Sequence, residues 1–248
     1  MKSEQVLLPP IRLLASLTKN WRRFALRCLR LTGKAISDHG MRNRIVRNGA
    51  VVDQTKIELF GDNNHIEWAP DASMLKCRVV VLGSNNEVKF GPKARIGNST
   101  FWIHGSDSKV CIETEVSVNE SEIILTEDRS RIRIGAGTML GPQCAIRCGD
   151  GHAIFEKETG EILNRAISIE LEENVLVGTR AQILKNVRIG MGSIIGACAV
   201  VTNDVPSGCI ATGVPAKVIR SGVTWTRQRI DDLPAGWNHA PDSSAVSK

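Results

Sequence analysis

The feature that most constrains this chain is a six-residue period. From Leu171 onward an aliphatic residue returns at every sixth position, through Val177, Ile183, Ile189, Ile195 and Val201. Four residues after each stands Val175, Ala181, Val187, Ser193, Ala199 or Val205, all small or β-branched. Six steps of about 100° return to about 240°, so no helix can keep such a period on one face. A chain wound as a three-sided prism can, because each hexad is then one short strand and a bend.

Upstream the same period is set in a longer unit. His65-Ile66-Glu67-Trp68, Glu87-Val88-Lys89-Phe90, Lys109-Val110-Cys111-Ile112 and Arg131-Ile132-Arg133-Ile134 repeat at intervals of 22 residues. Six-residue steps predict the inward sets Trp68, Met74, Val80; Phe90, Ile96, Trp102; Ile112, Val118, Ile124; and Ile134, Leu140, Ile146. Four residues remain per unit, such as Gly83-Ser84-Asn85-Asn86, and their types suit sharp corners. The expected fold is all-β, a parallel β-helix of about seven coils stacked at the strand spacing of ~4.8 Å. The 22 glycines and the absence of tyrosine fit a coil of tight corners around a small aliphatic core.

The first segment differs from the rest. Residues 1–50 hold eleven Lys/Arg against Glu4 and Asp38, a net +9, whereas the remaining 198 carry a net −3. Leu14, Leu17, Trp21, Phe24, Cys28, Leu31 and Ala35 recur in steps of three and four, predicting an amphipathic helix over 11–35. That stripe serves packing on the chain's own domain or a sister subunit, or lying on an anionic membrane, equally well. A basic arm on a near-neutral body does not read as a nucleic-acid-binding domain. The predicted division is an arm at 1–43, a β-helix at 44–220 with a loop inserted at 153–168, and a tail at 221–248. Seven cysteines without zinc or redox spacing read as small buried thiols in a reducing cytoplasm. No apolar run reaches the 18 residues of a membrane span and no signal peptide is legible, so the expected location is cytoplasmic, with the membrane's inner face as an alternative for the arm.

Over Arg147–Arg220 the sequence resembles the hexapeptide-repeat acyltransferases, specifically the bacterial polysaccharide and sugar O-acetyltransferases. The residues that carry the resemblance are Gly149-Asp150-Gly151-His152, Ile162-Leu163-Asn164, Ile183-Leu184-Lys185-Asn186-Val187, Ile194-Ile195-Gly196-Ala197, Val200 to Pro206 and Gly213-Val214-Pro215-Ala216-Lys217-Val218-Ile219-Arg220. The resemblance implies a left-handed coil, acetyl-CoA as co-substrate with no metal, a glycan or sugar acceptor, and a homotrimer.

Moving an acetyl group to a sugar hydroxyl needs a base, and histidine suits that role near neutrality. His152 falls in the corner column of Asn64, Asn86, Ser108 and Ser130, so it also reads as one more polar corner. The register breaks directly after it: Glu156 takes an inward position, and the strand returns only at Ile169 and Leu171, fifteen residues late. A loop of that length on a rigid rod is a natural substrate-binding element, and the resemblance places the family's base at this histidine. Asp150 reads equally as an orienting or sugar-binding carboxylate and as a turn-former. Asn164 resembles an asparagine near the substrate. The resemblance further assigns Gly178, Gly196, Ala197 and Thr202 to coenzyme A and makes Lys217 and Arg220 its phosphate-binding pair. Leu176 replaces a common tryptophan and Asn203 a common lysine.

Overall fold

The computed structural model describes residues 35–233, and the helix expected over 11–35 falls outside them except for Ala35. Three sheets form the sides of a prism. Sheet A has eight strands, from Ile36–Asp38 to Val200–Val201; sheet B has seven, from Arg44–Val46 to Val187–Ile189; sheet C has nine, from Val51–Asp53 to Ala216–Ser221. All pairings are parallel except the last, where Ala216–Ser221 folds back antiparallel on Cys209–Gly213. Eight strands in sheet A make about eight coils, one more than expected. The additional coil starts at Ile36, inside the span assigned to the arm, where no corner signature precedes it.

The 22-residue register is the pairing register: His65 stands over Glu87, Glu87 over Lys109, and Lys109 over Arg131. The hexad residues Leu171, Val177, Ile183, Ile189, Ile195 and Val201 all face inward with at most 1% exposure. Sheet A departs from the expected inward set. Val79 and Val81, Phe101 and Ile103, and Ile123 and Leu125 enter the core, so Val80, Trp102 and Ile124 point outward. The corner from sheet C to sheet A is one residue shorter in these coils, with Lys76, Asn98 and Glu120 taking its positive φ of 52°, 48° and 49°. Met74 to Val79 is therefore a step of five, and the next strand turns over.

Corner side chains form ladders along the prism. Asn86 N donates to Asn64 Oδ1, Ser108 N to Asn86 Oδ1 and Ser130 N to Ser108 Oγ, at 3.0, 3.0 and 3.2 Å. These four residues are at most 2% exposed, so the ladder satisfies corner amides that water does not reach. Glycine is required where corners stack directly: a Cβ on Gly83 would lie 2.1 Å from the carbonyl oxygen of Gly105.

The ladder ends at the insertion. Arg131 pairs with Ser168, and Arg131 N bonds the carbonyl of Ile167, so Ile167 takes the place after Ser130 that 22-residue counting gave to His152. The inserted residues form a small hairpin closed by the Phe155–Ile162 bridge and by Leu163 N donating to Ile154 O at 2.9 Å. No described helix is long and apolar enough to cross a membrane.

Candidate active site

His152 stands at the base of the inserted hairpin, at the corner between sheets A and B. It is exposed, unlike the buried residues of the ladder it was expected to join. Gly149, at φ 118°, turns the chain out of sheet A; a Cβ there would meet Thr126 Oγ1 at 2.1 Å. The hairpin's return arm is tied to the same corner. Asn164, 8% exposed, donates from Nδ2 to Asp150 Oδ2 at 2.7 Å and to the carbonyl of His152 at 2.8 Å, and its Oδ1 accepts from Ile154 N at 2.8 Å. Glu127 Oε2 accepts from Ala166 N at 2.9 Å one coil below.

Asp150 has a second partner in Lys185, whose Nζ lies 2.6 Å from Oδ2. Partial burial opposes ionisation of the Asp150 carboxyl, but Lys185 and the Asn164 amide together hold it below its ordinary value. Asp150 and Asn164 thus form a clamp that fixes the backbone on both sides of His152. Of the described hydrogen bonds, the one at His152 uses its backbone carbonyl, which leaves the imidazole facing solvent and available to a substrate. Lys185 was not among the expected site residues. The register could have found it: Leu184 pairs with Arg147, so Lys185 lies beside Cys148, two residues before Asp150.

The residues expected at coenzyme A divide into two groups. Gly178, Gly196 and Thr212 stack in one column at the corner between sheets C and A. A Cβ on Gly178 would lie 2.6 Å from Ala197 N, and one on Gly196 2.4 Å from Thr212 Oγ1. The amides of both glycines are spent on the carbonyls of Ile195 and Ala211, each at 2.8 Å, so these glycines serve close stacking, while Ala197 is exposed beside them. Lys217 and Arg220 extend this column. They are three apart in one strand, a spacing that ordinarily puts side chains on opposite faces. A register shift restores the face: Lys217 pairs with Thr212, Val218 with Ala211 and Arg220 with Ile210, leaving Ile219 as the extra residue of a bulge. Ala211 is buried while Thr212 and Ile210 are partly open, so both cations stand on the outer side.

Thr202 is elsewhere. It follows Val201, which pairs with Ile183, so it lies at the far end of sheet A, near Lys185 and the His152 corner. Within one chain, the histidine corner and the basic column sit at opposite ends of the sheet A strands.

The cysteines only partly match the expected buried thiols. Cys77, Cys144, Cys148 and Cys209 are buried, Cys111 is half-buried and Cys198 is exposed at a corner. Burial pushes the Cys148 thiol up to about 11, which removes its thiolate at neutral pH although it lies near the clamp.

Residues 168–203 match the family described as Bacterial transferase hexapeptide (six repeats). The polysialic acid O-acetyltransferase of Escherichia coli O1:K1 / APEC is 32% identical over 120 residues, covering 48% of this chain and 39% of that protein. The chain therefore matches about two fifths of that relative's length. The crystal structure of the polySia-specific acetyltransferase NeuO superposes at a TM-score of 0.65 and 28% identity, covering 80% of this chain and 91% of the other. The structure of the polysialic acid O-acetyltransferase OatWY superposes at 0.74 and 22% identity, over 81% and 95% of the two chains, and shares the fold. In its hexads and its three-sided coil, the chain is similar to the bacterial hexapeptide transferases, the polysialic acid O-acetyltransferases among them.

Proposed function

We propose that this protein is an acetyl-CoA-dependent O-acetyltransferase that modifies a sugar hydroxyl of a bacterial surface polysaccharide or its precursor. The observation that carries the reading is the exposed His152 imidazole on a clamped corner beside a projecting hairpin. The relatives' names support the glycan acceptor. A small acceptor such as a nucleotide-sugar or an amino sugar is the second reading, because the sequence gives no aromatic platform at Leu176.

Acetyl-CoA supplies the acyl group as an activated thioester. The residues present fit it: the bulge sets Lys217 and Arg220 on one face at the end of the glycine column, where two cations suit phosphates. His152 accepts the hydroxyl proton as the sugar oxygen attacks the acyl carbon, then returns a proton to the departing sulfur. Transfer is direct, and no cysteine is needed as nucleophile. Asp150, Lys185 and Asn164 hold the imidazole's backbone in place. No metal takes part in this mechanism.

Because the histidine corner and the basic column lie at opposite ends of sheet A, the reading includes a homotrimer in which neighbouring copies complete each site. The coil is taken as left-handed, the hand of the family it resembles, and the location as cytoplasmic. The test is mass spectrometry of candidate glycans, oligosialic acid included, after incubation with acetyl-CoA. A gain of one acetyl per sugar, removable by mild base, is the expected result; no transfer to any glycan or nucleotide-sugar overturns the reading.

A further inference from the structure

The outer side of sheet A carries a second apolar cluster, separate from the core. Phe60, Val80 and Leu82 form it, with Trp102 packed against them. All four stand at outward positions, since their neighbours Leu59, Val79, Val81, Phe101 and Ile103 fill the prism interior. Outward residues of a solenoid should be wet, and further along the same sheet Glu122 and Arg147 are exposed. The His39 ring stacks on Phe60 with centroids 4.8 Å apart, and Glu58 pairs with Lys56 and Arg78, but Val80 and Leu82 are still only 0% and 8% exposed in a single copy of the chain. The strand pairings and backbone hydrogen bonds of the described residues place no element across this face.

We propose that residues 11–35 of the same chain are the cover, seated as an amphipathic helix on the outer side of sheet A. The chain reaches the described fold at Ala35 and at once forms Ile36–Asp38, the edge strand of this sheet, paired with the strand that holds Phe60. Thirty-four residues thus arrive beside the patch. Their stripe of Leu14, Leu17, Trp21, Phe24, Cys28 and Leu31 is the apolar surface the patch lacks. A helix of 25 residues is about 37 Å long; eight strands at ~4.8 Å span about 34 Å. A helix along the stacking direction therefore has ample reach. The other terminus is placed differently: Trp225 bonds the carbonyl of Asn174, and Arg227 bonds Ser117 Oγ and the carbonyls of Glu115, Gly137 and Thr138, at the corner between sheets B and C. A helix spread on a membrane would turn the stripe away and leave Val80 and Leu82 in water.

The test uses the full chain. Hydroxyl-radical footprinting read by mass spectrometry should find Phe60 and Leu82 protected without lipid and at every dilution. Phe24→Asp with Leu31→Asp should raise their oxidation several-fold while the β-sheet circular dichroism is kept. Because those charges can disturb folding, a second full-length variant, Trp102→Cys, is treated with a short bismaleimide. An intrachain link to Cys28, equal in yield with and without anionic phosphatidylglycerol vesicles, is the expected result. Links found only between chains, protection that appears only with vesicles, or unchanged oxidation in the charged variant would each overturn the proposal.

Discussion

Replacing His152 by alanine removes the group that accepts the hydroxyl proton and little else, because its side chain is exposed. Turnover should fall by about 10²–10⁴, with acetyl-CoA affinity and melting temperature nearly unchanged. Steady-state kinetics on the identified acceptor checks this, and retained turnover would move the base elsewhere. Lys185→Met tests the clamp in a different way. The imidazole remains but Asp150 keeps only Asn164, so kcat should drop by about 3- to 100-fold through lost positioning, with KM for acetyl-CoA unchanged. The clamp's pH dependence has a definite sign. The Asp150 carboxyl sits below its ordinary value in the folded protein, so its contribution is complete above the unfolded value and is lost as pH falls through the lower, folded one. Between roughly pH 5 and 8 the clamp is therefore constant and adds no step of its own to the pH-rate profile.

At the scale of elements, the terminal hairpin of sheet C accommodates one extra residue, Ile219, in its bulge. Lys217→Ala with Arg220→Ala should raise KM for acetyl-CoA well beyond any change for the acceptor, since the lost contacts are remote from the reacting carbonyl. Deleting Ile219 removes the bulge and leaves Lys217 and Arg220 two apart, so plain alternation keeps both on the outer side, and KM should stay near the wild-type value. A phosphate-free pantetheine thioester should be indifferent to both changes. This hairpin also marks the limit of what the sequence makes legible. The hexads from Leu171 to Val201 announce their inward face because an aliphatic residue returns at every sixth position without a break. Val79-Val80-Val81-Leu82 and Phe101-Trp102-Ile103 are apolar at every position, so alternation cannot say which side is in, and a corner one residue shorter decided it. The fifteen-residue interruption was visible as a lost register. Its consequence was not, since counting by 22 put His152 in a buried ladder where the fold sets Ile167. Asn164 was legible as a loop residue near the site; its three bonds to Asp150, His152 and Ile154 required coordinates, because they join residues ten to fourteen apart through an irregular turn.

For the whole molecule, the division of the site decides how activity should respond to mixing. In one chain the His152 corner and the Gly196–Lys217 column are separated by the sheet A strands. If each working site takes the corner of one copy and the column of the next, two inactive variants can complement each other. Take His152→Ala, and Lys217→Ala with Arg220→Ala, assayed at acetyl-CoA concentrations too low for the second variant to bind. Coexpressed in equal amounts and assembled at random in a ring of three, about a quarter of the interfaces join an intact corner to an intact column. Mixed assemblies, isolated through a different affinity tag on each variant, should then recover activity on the order of a quarter to a third of wild type, while each parent alone stays near zero. Activity that remains at the level of the parents, in assemblies whose mass proves that both variants are present, would mean that one chain completes its own site, and the hairpin would then have to bring substrate along sheet A within a single copy.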